Sequence, residues 1–510
     1  MNVWTVTCLL LNFNYVLTAT LFFNASYPKT STTTTYRAAV YEHVPVYQHD
    51  PKEVISREQA LGIMRKNLVV YDKQSRLASE QGAVIIVFPE DGIYGFDHTR
   101  KSIRPYLEHI PDPNWWTWNP CDHPKALRGT EVQHALSCMA KTYGLYLVAN
   151  VGHMEECWSL FDTNCPLDGR YQYNTNVVYD PLGNLVARYH KYYLFGEPGF
   201  DVPPFREISY FDTPFGRVGT FVCADILHRT PAVDLFQKFG IRHVALTTAW
   251  ETTLPYMTPV TVQQGYAVAS GVNLLAADTQ YLTFDLGGSG IYSGSETLKY
   301  VYNTQTDTGK LLVADVPIYP KVRLPGSGIE NKASAPSVGH PASNYKNENS
   351  SRNPYFNTSM LGDEFTFVIL EDTEDDVQVC SDSMCCSLQY EFREKHPNEV
   401  YALGVFQGLH TDKLKIYNQI CSVVKCRNSD KLSCGQSSKR AKSTFNRFEL
   451  QGTFDAGMVY PYVLTVNRNQ IKLSLTEWRY EYGKITSVAG FHDALLTATL
   501  YGRCFSKDPF

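Results

Sequence analysis

The sequence predicts an α/β layered domain followed by a smaller, strand-rich domain tied by disulfides, and three observations carry that prediction. From residue 56 to about residue 277, strands that are apolar at nearly every position alternate with segments of helical hydrophobic period. Continuous apolar strands separated by helices are expected where a sheet is covered on both faces. Residues 324–360 then turn rich in Ser, Asn, Gly and Pro, with little periodicity, which reads as a linker or long surface loop. Beyond it come short β-type runs among which Cys380, Cys385, Cys386, Cys421, Cys426 and Cys434 cluster.

Taken in order, residues 56–81 place Leu61, Met64, Leu68, Tyr71 and Leu77 at helical spacing with charges between them, a surface helix packing on a sheet. The strand 83–88 follows. A helical pattern over 131–142 leads into the strand 145–149. Residues 176–189 read as a hairpin, two alternating runs around Asp180-Pro-Leu-Gly-Asn184, and it ends just before Lys191. The alternation continues through strand 218–222, a helix over 231–239, strand 243–247, a helix over 259–270 and strand 273–277. In the later part the β-type runs are 364–370, 400–406 and 495–501.

Three of these segments deliver a reactive group to a strand's C-terminal end. The strand 83–88 leads to Glu90, the hairpin to Lys191, and the run Val218-Gly-Thr-Phe-Val-Cys-Ala-Asp to Cys223. Each has a bland reading by itself. A lone cysteine in an apolar strand is usually core, Glu90 beside Asp91 suits a solvated turn, and Lys191 suits a surface amine. Together they supply a nucleophile, a base and a cation. A free thiol is only a few per cent thiolate at neutral pH, so Cys223 needs a base or a nearby cation. Glu90 can be that base and Lys191 that cation, and a thiol so activated is expected to react well below the pH at which a free thiol does.

Those segments resemble the nitrilase superfamily of carbon–nitrogen hydrolases. The similarity is closest to its vanin and biotinidase branch and covers nearly the whole chain. It runs also through Ala39-Val-Tyr-Glu-His43, Asp168-Gly-Arg-Tyr-Gln-Tyr-Asn-Thr-Asn176, Thr248-Ala-Trp250, Gly288-Ser-Gly-Ile-Tyr292 and Tyr401-Ala-Leu-Gly-Val-Phe-Gln-Gly-Leu-His-Thr411. The resemblance implies an α-β-β-α sandwich over residues 36–320, a linker over 321–360 and a β-rich C-terminal domain over 361–510 that adds no chemistry. It implies Cys223 as nucleophile, Glu90 as proton acceptor and Lys191 as oxyanion stabiliser, without metal or cofactor. Glu197 resembles the second glutamate that positions the lysine, and the Ala224 backbone N–H is a second oxyanion donor. The substrate is then a small linear amide, pantetheine ahead of biocytin.

Two departures bear on that reading. Cys-Ala-Asp stands where the branch usually has Cys-Phe-Asp, which leaves room beside the nucleophile. The segment Asp278-Thr-Gln-Tyr-Leu-Thr-Phe-Asp285 also differs from the usual pattern before the Gly-Ser-Gly loop, which could border the site. They keep open a third class of reading, an inactive vanin-like binding or adhesion protein. A cysteine protease would need a histidine partner, and His153, His190 and His228 sit in no signature that ties them to Cys223.

The bulk numbers bound the rest. With 510 residues, 44% of them hydrophobic and 13% aromatic, the chain can bury a large core. A formal net charge of −5 with no basic run offers no footprint for nucleic acid or an anionic membrane. The first 28 residues carry no charge, and their apolar stretch is interrupted by Asn12 and Asn14, which reads as a signal peptide over 1–25. Asn24, Asn349 and Asn357 each open a glycosylation triplet, and Arg503, Lys507 and Asp508 interrupt what a lipid-anchor signal would need. The expectation is a secreted protein. Of thirteen cysteines, losing Cys8 with the leader and keeping Cys223 free leaves eleven, so at least one more thiol is unpaired, and Cys157 with Cys165 is a local bridge.

Overall fold

A computed structural model describes residues 34–321 and 354–509. The leader, Cys8, Asn24, Asn349 and most of the linker lie outside the described residues. The first part contains twelve strands: β1 Thr35–Glu42, β2 Ile85–Val87, β3 Tyr146–Glu156, β4 Arg170–Tyr179, β5 Leu185–His190, β6 Ser209–Thr213, β7 Gly216–Val222, β8 His243–Thr248, β9 Asn273–Asp278, β10 Ser289–Ser293, β11 Glu296–Val301 and β12 Lys310–Pro317. Its helices are α1 Arg57–Glu80, α2 Glu131–Tyr143, α3 Asp234–Gln237 and α4 Pro259–Ser270. Two six-stranded mixed sheets result, in the orders β12-β1-β2-β3-β4-β5 and β11-β10-β9-β8-β7-β6. In each, three central strands run parallel, β1-β2-β3 and β7-β8-β9.

The alternation of side chains along each strand explains the layers. In β1, Ala38 and Val40 join Ile85, Val87, Val218 and Leu275 between the two sheets, while Ala39 and Tyr41 face α1 and α2 with Ile86 and Phe88. Strands apolar at every position are thus covered twice, and the result is the α-β-β-α sandwich. Helix α1 starts where Ser56 and Gln59 close a reciprocal capping box. Residues 231–239 depart from the expected helix. Only Asp234–Gln237 is α-helical, after a distorted turn with Thr230 at φ −106°, ψ 121°. A residue before proline is pushed out of the helical region, so Pro231 delays the start.

The second part holds β13 Tyr355–Met360, β14 Asp363–Ile369, β15 Glu374–Ser381, β16 Met384–Glu394, β17 Tyr401–His410, β18 Ile416–Lys425, β19 Thr444–Gly452, β20 Met458–Asn467, β21 Gln470–Leu473, β22 Trp478–Glu481, β23 Lys484–Ser487 and β24 Ala494–Arg503. They form a seven-stranded and a five-stranded sheet that share an apolar core, far more strand than the three runs legible in the sequence. The seven-stranded sheet also packs on α4. There Gly265 brings helix and strand together: a Cβ at this position would lie 2.5 Å from the Tyr462 ring and 2.7 Å from the Pro461 carbonyl.

Five disulfides staple the described residues: Cys121–Cys138, Cys157–Cys165, Cys380–Cys385, Cys386–Cys421 and Cys426–Cys434. The local bridge expected between Cys157 and Cys165 is present. Among the described residues Cys223 and Cys504 are free, so the additional unpaired thiol is Cys504.

Candidate active site

The site lies at the C-terminal ends of the parallel strands of both sheets, where a strand's last residues meet a turn and side chains can converge. Glu90 follows β2, and Asp91 after it turns the chain with φ +57°. Lys191 directly follows β5, its N–H donating to the Asn174 carbonyl at 2.8 Å, so the hairpin pairing runs into the site. Cys223 follows β7 and opens a 3₁₀ turn, Cys223–Leu227. Its φ is +44°, a left-handed conformation that costs a β-carbon-bearing residue of order 1–3 kcal/mol and persists only where neighbours hold it. Asp225 is the holder. Its carboxyl accepts from the Tyr189 hydroxyl at 2.8 Å and from the Tyr193 N–H at 3.0 Å, tying the thiol's turn to both sides of Lys191.

The expected residues come together in one buried network. The Lys191 ammonium donates to Glu90 Oε1 at 2.7 Å and also to Glu197 Oε1. Asn174 Nδ2 bridges the same two carboxylates, at 2.7 Å to Glu90 and 2.9 Å to Glu197. The Ala249 N–H donates to the second Glu90 oxygen at 3.0 Å. Behind Asn174 stands a ladder of amides: Asn150 Nδ2 donates to Asn174 Oδ1 at 2.7 Å and to Asn176 Oδ1 at 3.2 Å. Asn176 in turn reaches Thr220 at 2.9 Å on β7, so the ladder joins the two sheets under the site. The sequence singled out none of these asparagines for a role, although Asn174 and Asn176 sit in a segment quoted for the resemblance.

Electrostatics follow from burial. Glu90, Lys191 and Cys223 are all buried, at 1%, 1% and 5% exposure. Burial raises the Glu90 carboxyl above its usual range; Lys191 and Asn174 work against that rise and Glu197 adds to it. Burial opposes the charge on Lys191, but Glu197 and Glu90 outweigh it and hold the ammonium charged. The thiol differs from expectation. Burial first, and the Glu90 carboxylate second, push Cys223 well above an ordinary thiol, and Lys191 only partly offsets them. Burial and the Glu90 carboxylate thus oppose a thiolate at Cys223, and the Lys191 ammonium favours one.

Cys223 and Ala224 open onto a cavity of about 200 Å³. Trp250, Tyr256 and Met257 line it from the first part, and Leu361, Asp363, His410, Ile416 and Tyr501 from the C-terminal sheet. The second domain, expected only to stabilise, thus forms a wall of the site. The Gly288-Ser-Gly loop does not border it: Gly288 N–H and Ser289 Oγ donate to buried Glu42 at 2.9 and 3.0 Å. Asp278 lies behind the wall, accepting from the Trp250 N–H at 2.9 Å. His153 and His190 bond each other at 2.8 Å, and His190 meets Glu207 at 2.9 Å, so neither partners Cys223. His228 stacks on Tyr193.

A two-sheet α/β sandwich with a cysteine elbow beside a buried lysine–carboxylate pair defines the carbon–nitrogen hydrolases. Residues 52–282 match the family described as carbon-nitrogen hydrolase, and residues 355–508 match the vanin C-terminal domain. The chain belongs to this family, in its vanin and biotinidase branch. It is 40% identical to a pantetheinase of Bos taurus over 97% of this chain and 94% of that one, and 40% identical to the pantetheinase of Homo sapiens over 93% and 90%. It is likewise 40% identical to the biotinidase of Mus musculus, over 92% of this chain and 93% of that one. The protein is an enzyme that hydrolyses carbon–nitrogen bonds of linear amides.

Proposed function

We propose that this chain hydrolyses pantetheine to pantothenate and cysteamine through an acyl-enzyme on Cys223. The observation that carries the mechanism is the buried Lys191–Glu90 contact of 2.7 Å beside a cysteine held at φ +44° over the cavity. Attack and deprotonation are coupled. The sulfur bonds the amide carbon while Glu90 takes the thiol proton. Lys191 and the Ala224 N–H stabilise the oxyanion, a contribution of roughly 3–4 kcal/mol per donor in other hydrolases. Glu90 returns the proton to the leaving amine as the C–N bond breaks. Water, deprotonated by the same carboxylate, then cleaves the thioester and releases acid and free thiol. Glu197 and Asn174 keep Lys191 and Glu90 aligned.

The substrate follows from the pantetheinase relatives. Biocytin is the second reading, favoured by equal identity to biotinidase and by the space that Ala224 leaves beside the sulfur. The test is kcat/KM on both substrates with one preparation. A preference of tenfold or more for biocytin, about 1.4 kcal/mol in transition-state binding, overturns the choice. Acid quench during turnover should trap the acyl mass on Cys223. Cys223→Ala should abolish turnover, and Glu90→Gln and Lys191→Ala each cost several orders of magnitude. Substantial turnover by Cys223→Ala ends the mechanism.

We infer an extracellular location from the five disulfides, which persist in oxidising compartments. Asn357 is exposed on β13, an edge strand, where a glycan would shield unpaired backbone groups. Among the described residues, no helix is long and apolar enough to cross a membrane.

A further inference from the structure

The wall contributed by the C-terminal domain contains one polar pair that the amide chemistry does not use. His410, the last residue of β17, directs Nδ1 to Asp363 Oδ2 at 2.9 Å, and Asp363 opens the neighbouring strand β14. Both line the cavity that holds Cys223. The Asp363 side chain is 8% exposed and that of His410 21%, so the pair is largely withdrawn from bulk water. Nε2 of His410 has no protein partner among the described residues, and no hydrogen bond joins the ring to Cys223. Around the pair the wall mixes Leu361, Leu414, Ile416 and Tyr501 with the polar Asp412, Lys413 and Asn418, and Lys413 is taken up by Glu251. A largely withdrawn ring nitrogen without a protein partner discriminates between ligands, because one without a matching group leaves it unpaired.

The loop after His410 reaches back over the first domain. Lys413 lies 3.6 Å from Glu251 and 4.6 Å from the centre of the Phe195 ring, so the β17–β18 connection closes on the cavity from the far side. The hydrogen bond to Asp363 holds the imidazole plane and raises the ring's pKa, and the protonated ring presents Nε2–H as a donor.

We propose that His410, oriented by Asp363, is a specificity residue that donates from Nε2 to an oxygen acceptor on the substrate's acyl chain. The occupant is an acyl group with a hydroxyl or carbonyl oxygen beyond the scissile amide, placed to meet His410. Pantetheine, with hydroxyls and a second amide on its acyl side, meets that description, and a plain alkanoyl amide does not. This rests on the amidase reading above and names what its acyl pocket selects.

The test compares pantetheine with an N-alkanoyl cysteamine of equal chain length on wild type, His410→Leu and His410→Gln. In His410→Leu, kcat/KM for pantetheine should fall roughly 10–100-fold, mainly through KM, while the alkanoyl amide is unaffected and the wild-type preference collapses. His410→Gln, whose amide can still donate, should recover part of the preference. Asp363→Asn should weaken it without touching the alkanoyl rate. If both substrates lose rate together, or kcat alone falls, the residue is structural or catalytic and the proposal fails. Should wild type cleave biocytin instead, the substrate reading fails, and His410 is judged by the same ratio between biocytin and an alkanoyl-lysine amide. A wild type that cleaves no amide refutes both.

Discussion

At the scale of single residues, burial competes with charge pairing in setting protonation: it loses at Lys191 and wins at Cys223 and Glu42. Cys223 shows this at the site, where its thiol is raised although an ammonium stands nearby. Glu42 shows it away from the chemistry. It is fully buried at the end of β1, its Oε2 accepts two hydrogen bonds from Gly288 and Ser289, its Oε1 has no partner, and burial pushes its carboxyl up to about 8. An unfolded glutamate titrates near 4.3. Between about pH 4.3 and about 8 the unfolded chain has released this proton and the folded chain has kept it, so Glu42 makes stability fall as pH rises through that window. Glu42→Gln should flatten the fall. Urea midpoints at pH 5 and pH 8.5 should differ less in the variant, by about 4 kcal/mol of unfolding free energy. Parallel pH dependences in both proteins would refute a neutral Glu42.

At the scale of elements, the hairpin β4–β5 does two jobs that a strand's two-residue period allows. One face of β4 carries Asn174 and Asn176 into the amide ladder, and the strand after it ends on His190, just before Lys191. Asn174→Ala removes the Nδ2 donor shared by Glu90 and Glu197. Hydrogen bonding favours the charged carboxylate, so its loss raises the Glu90 carboxyl further. The acidic limb of the kcat/KM profile should therefore move to higher pH, and kcat/KM at neutral pH should drop roughly 10–100-fold, the worth of a hydrogen bond to a charged group. A limb that stays in place would mean that Asn174 does not tune the base.

At the scale of the whole molecule, the two parts are joined through buried polar contacts as well as through α4. Arg503, the last residue of β24, is wholly buried; its Nε donates to the Leu227 carbonyl at 2.8 Å, and its other nitrogens reach the Tyr417 carbonyl at 2.6 Å and Asp508 at 2.7 Å. Leu227 ends the turn that Cys223 begins. Arg503→Met removes the donor to the Leu227 carbonyl and one of the donors to the Tyr417 carbonyl and the Asp508 carboxylate, which keep the Cys504 and Tyr417 N–H groups, and should destabilise the protein by about 1–3 kcal/mol. It should also lower kcat at temperatures where circular dichroism still reports a folded chain. Unchanged kcat in the folded variant would show that the second domain supports the first without shaping its nucleophile.

What the sequence determined by itself was whatever local pattern encodes. Apolar strands alternating with helical segments announced the α/β layered domain, the resemblance to a family announced the two-sheet sandwich and the grouping of Glu90, Lys191 and Cys223, and short spacing announced the Cys157–Cys165 bridge. Tertiary structure alone decided the left-handed elbow at Cys223, the clasp of Lys191 between two carboxylates and the entry of His410 and Asp363 into the cavity wall. It also decided the burial that raises the thiol. The reason is physical: hydrophobic period is a property of a dozen consecutive residues, whereas burial and hydrogen-bond partners depend on segments more than a hundred residues apart, which meet only once the two sheets and the second domain have packed.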